Sequence, residues 1–260
     1  MKRLLKEGKP MRALITGGAR SGKSGFAERY AVRLGESGVY VATAQALDTE
    51  MERRIERHRI RRESSGFRWQ TVEEPFRLAE RLRELSDTGR GGADAPQRHP
   101  ARRVVLVDCL TLWLSNRLLA AEQDLFGGPD GAEESSAPVV SDRTDRPGPD
   151  GGPFPREQDR LRYDTEAALW EQVERRLLND IDELADAVER FEGTLLLVTN
   201  EVGDGVVPAY RLGRAYRDLA GTMNRRIADV CEQLFLVTAG VPVELKSVAF
   251  RLDEAGPYRG

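Results

Sequence analysis

Residues 17–24 read Gly17-Gly18-Ala19-Arg20-Ser21-Gly22-Lys23-Ser24, and what flanks them narrows the choice of fold sharply. Arg12 to Thr16 reads as a strand, and Phe26 to Glu36 as a helix. A glycine-rich turn that joins a strand to a helix and ends in Gly-Lys-Ser matches the phosphate-loop pattern in full. Such a turn is poor in side chains, so its backbone N–H groups can all point inward, and the positive end of the following helix adds to their pull on an anion. Lys23 is then expected to reach the β- and γ-phosphates, and the Ser24 hydroxyl to hold Mg²⁺. The motif implies that the chain binds a nucleoside triphosphate.

The remaining pattern agrees with this start. Strand-like and helix-like segments alternate, as they do in a parallel sheet covered by helices. Val39–Thr43 predicts a second strand, and a helix is expected from about Asp48 to Arg62, with acids early and arginines late in keeping with its dipole. Trp69–Val72 suggests another strand, and Pro75 opens a helix ending near Leu85. Val104–Val107 and Thr194–Thr199 are apolar enough for strands buried on both faces, ending in Asp108 and in Asn200-Glu201. A helix of about Pro208 to Cys231 places Leu212, Tyr216, Leu219, Met223, Ile227 and Val230 on one stripe. Leu234–Thr238 closes the core, and Val243–Lys246 suggests an edge strand. The expected fold class is α/β, a phosphate-loop NTPase (RecA-like) with a mostly parallel sheet flanked by helices. One domain over 11–248 is expected, interrupted by mobile insertions at 87–100 and 127–155, where Gly, Pro, Asp, Arg and Ser crowd out aliphatic residues.

Composition excludes several classes. Apolar residues make up 40% of the 260, enough for a large core, and 32% charged residues imply solubility. No run of about 18 apolar residues exists to span a membrane. The charged start Met1 to Pro10 lacks the apolar stretch of an export signal, so a cytoplasmic location is expected. Cys109 and Cys231, the only cysteines, read as reduced core thiols. A net charge of −3 without a basic tract argues against nucleic acid as the partner.

Three positions carry possible chemistry. Asp108 ends an apolar strand where a metal-holding carboxylate is expected beside a phosphate loop, in preference to the other role of a strand-terminal Asp, capping the next helix, Leu110 to Ala121. Glu201 could orient a nucleophile, or merely sit in the turn before Gly203 and Gly205. His58 shares a helix face with Met51 and Ile55, while Arg54, Arg61 and Arg62 lie three or four positions away. Those arginines favour a neutral, nucleophilic imidazole and could clamp phosphates; a solvated histidine on an Arg-rich helix is the other reading. His99 falls in the first insertion and is an improbable catalyst.

Motifs spaced along nearly the whole chain add to this. Gly17–Ser24, Tyr40-Val-Ala-Thr-Ala-Gln45, Asp48-x-Glu-Met51, Arg54-Ile-x-x-His58-Arg-x-Arg-Arg62 and Val72-Glu-Glu-Pro75 occur in that order. Val107-Asp-Cys-Leu-Thr-Leu-Trp113, Val198-Thr-Asn-Glu-Val-Gly203, Val206-Val-Pro208 and Arg217-Asp-Leu-Ala-Gly221 follow. The series closely resembles the bifunctional adenosylcobinamide kinase/adenosylcobinamide-phosphate guanylyltransferase family of cobalamin biosynthesis. The resemblance implies phosphorylation of adenosylcobinamide from ATP or GTP, then transfer of GMP from GTP to adenosylcobinamide phosphate through a histidine adduct, here on His58. It implies nucleotide contacts from Gly17, Gly18, Ala19, Arg20, Ser21, Gly22, Lys23 and Ser24. It extends them to Ala42, Thr43 and Ala44, to Arg59, Ile60, Arg61 and Arg62, and to Glu73 and Asp108. Mg²⁺ falls to Ser24 and Asp108, and catalysis to His58 and Lys23. Family members often carry Glu where Asp108 stands, a one-methylene difference that keeps the carboxylate. The resemblance also implies a homotrimer.

A phosphate-loop small-molecule kinase with no guanylyl transfer is the nearer alternative. A GTP-dependent switch protein is the more distant one, and the N-K-x-D expected of it after a late strand is replaced by Asn200-Glu-Val-Gly203.

Overall fold

The computed structural model describes residues 11–45, 49–87, 103–127 and 157–250; the side chains of Glu50, Arg54, His58, Arg61, Asp87 and residues 157–164 lie outside that description. His99, Asp48 and nearly all of the insertions expected at 87–100 and 127–155 also lie outside it.

The chain runs β1 (Met11–Thr16), α1 (Lys23–Leu34), β2 (Ser37–Ala42), α2 (Thr49–Glu63), β3 (Arg68–Glu73), α3 (Leu78–Asp87), β4 (Arg103–Asp108), α4 (Leu110–Phe126), α5 (Glu157–Glu189), β5 (Thr194–Val198), α6 (Arg211–Val230), β6 (Gln233–Thr238) and β7 (Val241–Glu244). The strands form one sheet in the order β3-β2-β4-β5-β1-β6-β7. All neighbours pair parallel except β6 and β7, which are antiparallel. This is the expected α/β class, with β5 standing between the phosphate-loop strand β1 and the Asp108 strand β4.

The parallel strands are apolar on both faces because helices cover both. Leu14, Val39, Val41, Val105, Val107, Leu195 and Leu197 point into a core shared with α3, α4, α5 and α6. Their alternating neighbours Ala13, Ile15, Tyr40, Val104, Leu106, Leu196 and Val198 meet Ala27, Ala31 and Leu34 of α1. After β1 the chain turns toward β2, and after β5 it crosses to β6 on the other side of β1. That reversal opens a crevice at the carboxyl ends of β1 and β5, the place where sheets of this kind bind ligands.

Several boundaries differ from expectation for local reasons. Helix α3 begins at Leu78 rather than Pro75, because the buried Glu74 carboxylate accepts the N–H groups of Phe76 (3.3 Å) and Arg77 (2.8 Å) and makes a capped turn there. Helix α6 begins at Arg211 rather than Pro208; the Arg214 guanidinium takes the carbonyls of Pro208 and Ala209 instead. The edge strand is Val241–Glu244 rather than 243–246, since the Glu244 carboxylate accepts the N–H groups of Lys246 and Ser247 and turns the chain. The largest difference is α5, a 33-residue helix that the sequence reading leaves out.

Candidate active site

The phosphate loop begins where β1 ends. Gly17 adopts φ 154°, and a Cβ there would lie 2.4 Å from the carbonyl oxygen of Val237, so no other residue fits without moving β6. Gly22 stands at φ 94°, turning the chain directly into α1. The loop is braced on both sides: Gly240 N–H donates to the Ser21 carbonyl (2.8 Å) and Glu201 N–H to the Gly17 carbonyl (3.2 Å). Helix α1 has no side-chain cap and no acid in its first turn. Its first N–H groups have no partner within the helix, so this end is open to an anion.

Lys23 is buried, and its ammonium donates to the Gly18 carbonyl at 3.0 Å, which folds it back over the loop. The Ser21 hydroxyl is buried with no hydrogen-bond partner among the described residues. Buried polar atoms rarely stay unpaired, so an orphan inside a phosphate loop marks a place for ligand oxygens.

Beside the loop lies a cleft of about 500 Å³ (solvent-open space included), lined by Ser24, Ala42, Ala44, Met51, Ile55, Arg62, Asp108 and their neighbours. Register explains why Asp108 is here: it pairs with Ala42 of β2 and Val198 of β5, putting all three strand ends level. Its carboxylate does not cap α4, whose N-cap is Cys109 without a side-chain bond; instead Oδ2 accepts the Tyr40 hydroxyl at 3.1 Å. Ser24 and Asp108 on one wall are a fitting donor pair for Mg²⁺, which takes one or two protein oxygens and completes its shell with phosphate and water. Among the described residues no group of three or more His, Cys, Asp or Glu side chains could hold a metal ion.

The opposite wall is α2. Met51, Ile55 and Arg62 line the cleft from this helix. The backbone of His58 falls between Ile55 and Arg62, while its side chain, like that of Arg61, is outside the description. Arg62 is only 5% exposed, with its guanidinium carbon 3.6 Å from the centre of the Tyr40 ring. Its Nη1 is buried without a hydrogen-bond partner among the described residues. Burial pushes the Tyr40 hydroxyl well above its ordinary value, the Asp108 charge adds to this, and Arg62 opposes it. Tyr40 therefore remains a neutral donor.

Other expected contact residues are placed differently. Thr43 is fully buried; its hydroxyl donates to the Cys109 carbonyl (2.7 Å) and accepts the Cys109 N–H (2.8 Å), and Asn116 holds its carbonyl (2.9 Å). It is a strut that fixes Ala42 and Ala44 on the cleft wall. Arg59 and Ile60 are exposed, with Arg59 paired to Glu63 at 2.9 Å, and Glu73 is an exposed residue at the end of β3. Glu201 is half-buried and its carboxylate accepts the Thr16 hydroxyl at 3.4 Å. Burial raises the Cys109 thiol above its usual range and carries Cys231 up to about 12, so both remain protonated. Tyr40 itself is the site residue that sequence reasoning passes over. Its signals are its place at the head of the Tyr40–Gln45 motif and a phenol hydroxyl within the apolar run Val39–Ala42.

One cleft is thus lined by the phosphate-loop side, through Ser24, and by the arginine-bearing helix α2. A family profile described as cobinamide kinase / cobinamide phosphate guanyltransferase matches residues 13–245. The chain belongs to this family. It is 36% identical over 236 residues to the bifunctional adenosylcobalamin biosynthesis protein CobP of Pseudomonas aeruginosa, covering 91% of this chain and 98% of that one. It is 33% identical over 238 residues to the protein CobU of the same description from Escherichia coli, covering 91% of this chain and all of the relative. The CobU of Salmonella typhimurium matches equally, at 33% over 238 residues. The cobinamide kinase family match runs from β1 to the residue after β7, so it contains both walls of the cleft.

Proposed function

We propose that this chain phosphorylates the terminal hydroxyl of the aminopropanol arm of adenosylcobinamide and then transfers GMP from GTP to the new phosphate. The observation that carries the reading is the cleft with two different walls: Ser24 and Asp108 on the phosphate-loop side, and Met51, Ile55 and Arg62 from the helix that bears His58.

In the first reaction the loop amides of Gly17 to Ser24 hold the nucleoside triphosphate, ATP or GTP, and Lys23 leaves Gly18 to meet the β- and γ-oxygens. Catalysis here is positioning and charge neutralisation for an in-line attack on the terminal phosphorus. Mg²⁺ supplies further neutralisation of phosphate charge when held by Ser24 and Asp108. In the second reaction a ring nitrogen of His58 attacks the α-phosphorus of GTP, and the bond to the β-phosphate oxygen breaks to release pyrophosphate. A phosphate oxygen of adenosylcobinamide phosphate then attacks the same phosphorus, the P–N bond breaks, and adenosylcobinamide-GDP leaves with neutral His58 restored. Splitting one displacement into two is the gain of covalent catalysis. Arg62 holds phosphate oxygens in that step, consistent with its orphaned Nη1.

The reading extends to residues 11–248 as one domain and to a homotrimer in the cytoplasm. No helix among the described residues is long and apolar enough to cross a membrane. His58→Ala and His58→Asn should abolish the acid-labile adduct formed with GTP labelled at the α-phosphate, while substantial adenosylcobinamide kinase activity remains. Kinase activity lost in parallel, in variants with unchanged circular dichroism, overturns the division of labour.

A further inference from the structure

Resting on that reading, we infer that Tyr40 is a two-ended positioning residue: its hydroxyl sets the Asp108 carboxylate and its ring seats Arg62, so one side chain serves both half-reactions. The two ends are distinct on the molecule. The hydroxyl donates to Asp108 Oδ2 at 3.1 Å, and the ring face carries the Arg62 guanidinium 3.6 Å from its centre.

Three further observations make this more than neighbourly packing. First, Tyr40 cannot move: it is 5% exposed, lies in the sheet core and has its edge against Trp69, ring centres 6.1 Å apart at 88°. Trp69 in turn covers Gly38, where a Cβ would come within 2.4 Å of the indole. Second, Arg62 Nη1 is buried with no hydrogen-bond partner among the described residues, although the guanidinium lies against the ring. Stacking leaves the in-plane N–H donors free for a planar or tetrahedral oxyanion, which is the geometry a phosphate clamp requires. Third, among the described residues the Asp108 carboxylate accepts a hydrogen bond from the Tyr40 hydroxyl alone, which orients it on the cleft wall it shares with Ser24. Arg62 is in the last turn of α2 and Asp108 ends β4, so Tyr40 ties the helix bearing His58 to the carboxylate wall.

The ends are separable by substitution. Tyr40→Phe keeps the ring and deletes the hydroxyl; Tyr40→Leu deletes both. Two readouts are needed on the full chain. One is the affinity for a fluorescent GTP analogue with and without Mg²⁺, which reports the metal-dependent gain without turnover. The other is the rate of covalent labelling from GTP carrying label at the α-phosphate. Loss of one net side-chain hydrogen bond predicts that the Mg²⁺-dependent gain in affinity falls about three- to tenfold in Tyr40→Phe. Loss of the cation–π seat predicts that labelling by Tyr40→Leu falls a further ~3- to 30-fold below that of Tyr40→Phe. An undiminished Mg²⁺ gain in Tyr40→Phe overturns the hydroxyl end, and equal labelling by the two folded variants overturns the ring end. Should Tyr40→Leu not fold, Tyr40→Trp replaces it as a variant that keeps an aromatic face but shifts it; labelling equal to Tyr40→Phe then supports the ring end and a complete loss opposes it. Wild-type protein that takes no label at all defeats the transferase reading instead, and the Mg²⁺ measurement still decides the hydroxyl end.

Discussion

Arg12 and Glu232 show how single residues hold the sheet where no ligand is involved. The Arg12 side chain and backbone N–H both donate to the Glu232 carboxylate, the backbone bond at 2.6 Å, while Glu232 N–H returns to the Arg12 carbonyl at 3.0 Å. This closes the start of β6 onto β1, the strand that delivers the phosphate loop. Burial pushes the Glu232 carboxyl up, but the bonds from Arg12 outweigh it and the net shift is downward. A carboxyl lowered in the folded state contributes stability above its unfolded value of about 4.5 and loses it as pH falls through the folded value. Glu232→Gln should therefore lower Tm at pH 7 by roughly 1–4 °C, since a part-exposed pair is worth up to about 1 kcal/mol. Melting curves at pH 7, 5, 4 and 3 should show the gap to wild type narrowing as pH falls below the unfolded value of about 4.5; a gap that stays constant across the series removes the electrostatic account. At this scale the sequence was partly legible. Asp108 reads as a metal ligand with a helix cap as the alternative, and the structure gives its oxygen to Tyr40 and leaves α4 without a side-chain cap. The resemblance implies a nucleotide contact at Thr43, and the structure gives its hydroxyl to Cys109, a partner 66 positions away.

Among the elements, α5 packs against three other helices, α3, α4 and α6. Trp170, Val173, Leu177, Ile181, Leu184 and Val188 are all buried along it, at spacings of three and four. That stripe was available in the sequence and is the signal that finds the helix; it is hidden only by charged residues filling the other face and by the polar segment before it. Arg117 of α4 adds a clamp, donating from Nε (3.0 Å) and Nη2 (2.7 Å) to Asp180. Leu177→Ala, at a position with 0% exposure, should cost about 2–5 kcal/mol from lost burial and the cavity left behind. Calorimetry should record a Tm lower by roughly 4–20 °C, with nucleotide affinity in the cold nearly unchanged. A loss below 0.5 kcal/mol (roughly one surface substitution's worth) means α5 is not part of the cooperative core. Strand identities, by contrast, are plain in Val104–Val107 and Leu195–Leu197, because burial on both faces demands continuous apolar residues. Helix starts are not, since the Glu74 and Arg214 bonds that set them are side-chain choices made in three dimensions.

For the whole molecule, ligand and stability are linked. A nucleotide that binds only the folded chain stabilises it by about 2.7 kcal/mol at a hundred times its Kd. GTP with Mg²⁺ should then raise Tm by roughly 5–11 °C in wild type. Lys23→Ala should lose most of that rise, together with most of the adenosylcobinamide kinase rate, and an unchanged rise and rate refute the role given to Lys23. What the sequence determined unaided is the chemistry that depends on contiguous residues: the loop of Gly17 to Ser24 between a strand and a helix, the parallel α/β pattern, and the ordered motifs that mark the family. These are legible because each depends on neighbours along the chain, where backbone sterics, helix dipoles and side-chain period act within a few residues. Only the tertiary structure decided how the strands are ordered, which brings Asp108 level with Ala42 and sets β5 between the two phosphate-site strands. Only it placed Arg62 on the Tyr40 ring and turned Thr43 inward. Those are contacts between residues 22 to 66 positions apart, and they are chosen by packing of the entire sheet rather than by any local preference.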